Sequence, residues 1–150
     1  ARGGKKRRQE VYNPSDARRP VPVADVSFGF KDGIPNDAGL VLDARLINNP
    51  YYVEALKAHS GLEARVRDYV MSFPETRVFL DKLFDLLDFL IPQYIREGKP
   101  QLVIGIGCTW GKHRSVTLAR VLYDRLQETR EYGIRLKNRD IGQDALLKKQ

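Results

Sequence analysis

Cysteine is almost missing: Cys108 is the only one in 150 residues. An intrachain disulfide is therefore excluded. With only two histidines, His59 and His113, a structural zinc site is not expected either, and the residues call for no metal and no cofactor. Long apolar runs are also missing. The richest stretch, Val78 to Ile91, is interrupted by Asp81, Lys82, Asp85 and Asp88. No segment of this kind spans a bilayer, and no membrane partner is expected. No signal-peptide pattern precedes the body, and a lone free thiol makes the cytosol the expected compartment. There is no internal repeat. What remains is a mixture of 42% hydrophobic and 30% charged residues, ordinary for a globular chain, at a length suited to one domain.

The net charge of +7 is unevenly placed. Residues 1–19 carry seven basic residues against Glu10 and Asp16, which leaves +5 there and only +2 in the other 131 residues. Residues 1–22 read as a flexible basic arm, kept extended by Gly3, Gly4, Pro14, Pro20 and Pro22. An arm of this charge attracts polyanions, and Arg2, Lys5, Lys6, Arg7 and Arg8 are the candidate RNA contacts. Lys148 and Lys149, in the short basic tail at 142–150, join them. A solubilising tail is the plainer reading. The arm lacks the apolar stripe of a membrane-surface helix.

Between arm and tail, residues 23–141 alternate strand and helix signals. Val23–Phe30 and Leu40–Ala44 read as strands joined by a turn-rich connection with Gly33, Pro35 and Asn36. Asn49-Pro50 opens a helical turn, because Asn caps and Pro fits the first helical position. Ser60 with Glu63, and Ser72 with Glu75, fit capping boxes. The long helix after Ser72 is expected to bury Val78, Leu83, Leu87, Leu90 and Tyr94, and to close at Pro92 and Gly98. Its Phe and Leu stripe belongs to the core. Leu102–Gly107, rich in β-branched residues, is a buried central strand. A helix over Ser115–Thr129 and a last strand over Tyr132–Leu136 follow. The pattern predicts an α/β layered domain whose small, mainly parallel sheet is flanked by helices.

The chemistry concentrates in Gly107-Cys-Thr-Trp-Gly-Lys-His-Arg-Ser115, between the central strand and the next helix. Such a junction aims backbone N–H groups and the positive end of a helix into one cradle. Lys112, His113 and Arg114 add donors, and Thr109 and Ser115 add hydroxyls. Three basic groups at the positive end of a helix dipole make a poor cap and a good anion site. The same segment fits Cys-x5-Arg-Ser, the phosphate loop of cysteine-dependent phosphatases, with Gly111 where such loops often have glycine. Only under that reading are Cys108 and Arg114 catalytic, as nucleophile and phosphate clamp. Asp32 and Asp37 are its only candidate general acids. Asp43 and Arg45, at a strand end, either line the crevice or pair with each other. His59 is a structural residue at a helix end. Tyr51 and Tyr52 border the site or an interface.

Read in order, Ser27-Phe-Gly-Phe-Lys31, Gly33-Ile-Pro35, Asp43-Ala-Arg45, Asn49-Pro50, Val66-Arg-Asp-Tyr69, Ile106-Gly-Cys-Thr109 and His113-Arg-Ser115 resemble the carboxy-terminal domain of the RapZ (YvcJ) family, over roughly residues 23–141. The resemblance implies a fold related to the ligand domain of phosphofructokinase. It also implies sensing of an amino-sugar phosphate, glucosamine-6-phosphate, with RNA binding and recruitment of an RNase. Asp43, Cys108, Thr109, His113 and Arg114 match its pocket positions. Tyr51 stands where the family usually has His, Trp110 where it has Gly, and Asn138 where many members have His. Trp110 thus implies a reshaped loop, or an aromatic cover that stacks on a sugar or base. Arg45, Tyr51 and Trp110 form the expected rim. Full family members also carry an amino-terminal nucleotide-binding domain; without a GxxxxGK[ST] in these residues, that activity is not assigned to them.

The resulting expectation is a non-enzymatic phosphometabolite-sensing domain and RNA adapter. A cysteine-dependent phosphatase and a protein-interaction module are the alternatives. A homo-oligomer stays open.

Overall fold

A computed structural model describes residues 10–12, 22–128 and 132–142. Arg2, Lys5, Lys6, Arg7, Arg8, Lys148 and Lys149, the expected RNA contacts, lie outside the described residues. The elements are β1 (Glu10–Tyr12), β2 (Val23–Gly29), a 3₁₀ turn (Phe30–Asp32), β3 (Leu40–Asp43), a second 3₁₀ turn (Pro50–Tyr52), α1 (Ala64–Met71), α2 (Pro74–Arg96), β4 (Leu102–Cys108), α3 (Arg114–Gln127) and β5 (Ile134–Asn138).

The sheet order is β1-β5-β2-β4-β3. β5, β2, β4 and β3 run parallel, and β1 adds an antiparallel edge on β5, with Val11 opposite Leu136. The sequence pattern had marked no strand before Val23. β2 and β4 are central and β4 is buried along its whole length, which accounts for a run without alternation. β5 has one wet face and alternates buried with half-buried residues. One cluster joins Val23, Ile104, Ile106, Ile134 and Leu136 of the sheet to Val66 and Val70 of α1, Leu83 and Leu87 of α2, and Leu118 and Leu122 of α3. The architecture is therefore an α/β layered fold, as the alternating pattern predicts.

On the other sheet face Phe28 is fully buried, stacked edge-on against Phe30 at 4.9 Å. Its ring lies over β4. A Cβ on Gly107 would sit 2.5 Å from Phe28 Cζ, so the glycine is what lets an aromatic ring cover a central strand there.

Several local expectations are corrected. α2 buries Thr76, Leu80, Leu83, Leu87 and Ile91. Val78 is exposed because it lies two residues, about 200° of helix rotation, from Leu80. Leu90 and Tyr94 are only half-buried, and Phe89 faces solvent. Pro92 does not close the helix, which continues to Arg96 with Pro92 on its exposed side. Gly98 does close it, with φ of 82° and its N–H donated to Ile95 O. Neither capping box forms. Ser60 Oγ accepts from Leu62 N, two residues on, and the Glu63 carboxylate turns to His59 Nδ1 at 3.0 Å. Ser72 Oγ donates back to Tyr69 O, and Pro74 starts α2 without a side-chain cap. The Pro50 turn does form, with Asn49 Oδ1 accepting from Tyr51 N as its cap.

Candidate functional site

β4 ends at Cys108, and the chain reaches α3 at Arg114 through five residues. The bend falls on Gly111, whose φ is 76°. That conformation suits glycine, and a Cβ there would also meet Gly29 N at 2.5 Å. The left-handed glycine of the loop is Gly111, next to Trp110. The loop is held from behind. Lys31 N donates to Thr109 O at 3.2 Å, and Gly61 N donates to Lys112 O at 2.8 Å. Behind Gly29, the buried Asp140 carboxylate accepts Gly29 N at 2.7 Å and pairs with Arg139 at 2.9 Å.

Within the loop, Lys112, His113, Arg114 and Ser115 are all buried, an unusual density of basic side chains for an interior. The Cys108 thiol donates to Ser115 Oγ at 3.1 Å, and its sulfur accepts Ser115 N at 3.4 Å. The sulfur-bearing residue is only 2% exposed. Arg114 Nη1 donates to the carbonyls of Arg45 (3.2 Å) and Ile47 (3.1 Å), which ties α3 to the segment after β3. Nη2 reaches Thr109 Oγ1 at 3.4 Å. Nε is buried and has no acceptor. Nε and Nη2 form the side edge of the guanidinium, the two-pronged edge that grips a carboxylate or phosphate. That edge is left with one long bond, beside a hydroxyl and at the positive end of α3.

The rim residues separate into two groups. Asp43 and Arg45 pair with each other, Nη2 to Oδ2 at 2.7 Å and Nε to Oδ1 at 2.9 Å. The Arg45 hydrogen bond, aided by its charge and that of Arg114, holds the Asp43 carboxyl below the usual range. Arg45 also stacks on Phe30 at 4.1 Å. With Thr109, Arg114, Asn49 and Tyr52, Arg45 lines an open crevice of about 540 Å³. Tyr51 and Trp110 line a second cavity of about 420 Å³ with Glu54, Lys57, Ala58, Lys112 and His113. Lys31 Nζ lies 4.0 Å from the centre of the Trp110 ring, and Lys57 Nζ 4.8 Å from that of Tyr51.

The structure therefore brings Cys108, Thr109, Gly111, Lys112, His113, Arg114 and Ser115 together, with Asp43, Arg45, Tyr51 and Trp110 around them. Asn138 is not at the rim but buried, accepting from Ser27 Oγ at 2.7 Å. Asp37 lines a groove on the sheet face that Phe28 occupies, with Val26, Val103 and Lys137. Sequence reasoning missed Glu54 and Lys57, which carry no motif and reach the cavity only because the turn after Asn49-Pro50 folds toward the loop. Among the described residues no three of His, Cys, Asp or Glu cluster to hold a metal, and no helix is long and apolar enough to cross a membrane.

A family model described as the RapZ C-terminal domain matches residues 21–142. A nucleotide-binding protein of Agathobacter rectalis is 51% identical over 138 residues, which cover 92% of this chain and 47% of the relative. One from Lachnoclostridium phytofermentans is 59% identical over 119 residues, 79% of this chain and 41% of the relative. One from Clostridium novyi is 55% identical over 135 residues, 89% and 46%. The chain spans less than half the length of these relatives.

Proposed function

The chain belongs to the RapZ C-terminal domain family, and from that premise we propose that it is a non-catalytic domain that binds a phosphate-bearing metabolite in the Cys108–Ser115 loop. The observation that carries this reading is the Arg114 side edge, whose buried Nε has no acceptor in the protein. A buried charged donor left unmade costs about 1–3 kcal/mol, and a phosphate oxygen supplies what is missing. Thr109, Lys112, His113 and the N–H groups at the start of α3 complete the cradle. The relatives' name, nucleotide-binding protein, agrees with a phosphate-bearing ligand.

The finer reading follows the family resemblance. The ligand is an amino-sugar phosphate such as glucosamine-6-phosphate, and the domain passes its occupancy to an RNA and to an RNase in the cytoplasm. Residues 1–22, of which Glu10–Tyr12 join the sheet as β1, and residues 142–150 serve as basic extensions of the 23–141 domain, with Arg2, Lys5, Lys6, Arg7, Arg8, Lys148 and Lys149 on RNA phosphates. The phosphatase alternative is disfavoured by the burial of Cys108 and by Asp37, which lines a groove away from the loop.

Thermal shift with inorganic phosphate and a panel of sugar phosphates tests the cradle. A ligand at a hundred times its Kd adds about 2.7 kcal/mol to stability. No shift with any phosphate compound, at concentrations that saturate a millimolar site, overturns it. For the RNA, deleting the five arm residues flattens the dependence of log K on log salt by about 3–4 units if each neutralises one phosphate of a single strand. An unchanged slope moves the contacts elsewhere.

A further inference from the structure

The turn at residues 29–33, which leaves β2 through the first 3₁₀ turn, is gripped at both ends by one ion pair. β5 pairs with β2 only as far as Asn138, opposite Ser27, so no carbonyl of β5 meets Gly29 N. The Asp140 carboxylate takes that place, Oδ2 accepting Gly29 N at 2.7 Å. The same carboxylate receives the Arg139 fork, Nε on Oδ1 and Nη2 on Oδ2, both at 2.9 Å. Arg139 Nη2 also donates to Gly33 O at 2.6 Å, at the far end of the turn. Arg139 N donates to Ser27 O at 3.0 Å, which fixes the pair to β2. Asp140 is 1% exposed. Taking a carboxylate that far out of water is costly, and only pairing as complete as this offsets it.

The middle of the turn holds the anion loop. Lys31 N donates to Thr109 O, and Lys31 Nζ sits over the Trp110 ring. The peptide bond between Trp110 and Gly111 rests directly on Gly29: a Cβ there would lie 2.5 Å from Trp110 C and 2.9 Å from Gly111 N. Neither Arg139 nor Asp140 lines the crevice at Arg114 or the cavity at Trp110. The contacts of the pair reach the loop through the turn.

We propose that Arg139 and Asp140 are positioning residues for the anion loop, which they hold in its binding shape through the turn at 29–33. The inference rests on the phosphate cradle proposed above and says what keeps that cradle formed. Donors that must meet a phosphate at fixed places need a rigid support behind them. A planar fork on a carboxylate fixes orientation as well as distance, which a single hydrogen bond does not.

Position and charge are separable. Asp140→Asn removes a negative charge and Arg139→Met a positive one. Acting through charge, the first strengthens phosphate binding and the second weakens it. Acting through position, both weaken it. The expected loss is about tenfold for each, the low end of what removing an outer-shell partner costs a metal site. The double variant should bind no worse than the weaker single, because the two residues act as a unit. Trp110 is the only tryptophan, so its emission without ligand reads the loop itself and should shift in every one of these variants. Leu126→Val, a core truncation about 18 Å along α3 from Arg114, controls for lost stability and should leave affinity and emission unchanged. Calorimetry with inorganic phosphate and with glucosamine-6-phosphate gives the affinities, on protein shown by thermal melts to be folded. Arg139→Met carries the test if Asp140→Asn does not fold. Tighter phosphate binding by Asp140→Asn, wild-type affinity and emission in Arg139→Met, or an equal loss in Leu126→Val overturns the proposal and leaves the cradle standing. If wild type binds neither compound, the cradle falls and Trp110 emission alone decides: unshifted in the variants, it refutes the positioning role; shifted, it supports that role.

Discussion

Asp25 offers a sharp test of how the core is built. It lies in the middle of β2, flanked by Ile104 and Leu136 on the neighbouring strands, and is fully buried. Neither carboxyl oxygen has a hydrogen-bond partner. Burial alone pushes its pKa well above the ordinary carboxylate value, with no compensating charge. The direction fixes the sign of its effect. Below about pH 4 the group is protonated in both the folded and unfolded chain and contributes nothing through ionisation. As pH rises, the unfolded chain ionises while the folded one holds its proton, so stability falls by about 1.4 kcal/mol per pH unit until the folded pKa is reached. Asp25→Asn removes the titration and keeps the shape. The difference in unfolding free energy between Asn variant and wild type should therefore grow by that amount per unit from about pH 4 upward, then level off. Asp25→Val removes the orphan oxygens as well. It should add about 1–3 kcal/mol, the cost of an unsatisfied buried polar group, less any strain from the extra methyl. Urea melts at a series of pH values read both effects, and the subtraction cancels every other group. Parallel pH profiles for wild type and Asp25→Asn would refute the claim of an unpartnered buried carboxyl.

Three further outcomes follow from the loop. Arg114→Ala should weaken binding of a phosphate ligand by about 2–4 kcal/mol, with little rescue by Lys, which lacks the fork. It should also lower stability by a few kcal/mol, because the carbonyls of Arg45 and Ile47 lose a donor, so affinity must be read by calorimetry on protein shown to be folded. Gly111→Ala should cost more than about 1–2 kcal/mol in a urea melt, since a positive φ is joined to a clash with Gly29. Wild type and Cys108→Ser should both fail to release phosphate from an aryl ester and should bind a phosphate ligand within about 0.5–1.5 kcal/mol of each other, one hydrogen bond. Wild-type hydrolysis that the serine variant loses would reinstate the phosphatase.

Much of this protein was legible before any coordinates. The β-branched run at 102–107, bounded by glycine, could only be a buried strand, and the basic cluster after it could only open a helix. Periodicity is a local property, and local signals marked most of the sheet and the loop. β1 escaped because three residues carry no period. The buried face of α2 was misjudged because Val78 and Leu80 are both apolar, and a helix with two apolar stripes leaves the choice to its neighbours. The capping boxes failed for a similar reason: Glu63 found His59, and Ser72 found the carbonyl of Tyr69, closer partners than the motif supposes. Spacing alone marked Cys108, Thr109 and Gly111 to Ser115 as one loop, which β4 and α3 bring together. That Arg114 Nε is left without an acceptor while Nη1 binds Arg45 and Ile47, and that Glu54 and Lys57 share a wall with Trp110, was decided by parts of the chain about fifty to seventy residues apart. Local sequence sets which groups are present and how the backbone nearby turns. Which of them remain unpartnered depends on what the rest of the chain brings against them, and that is settled only when the sheet and its helices pack.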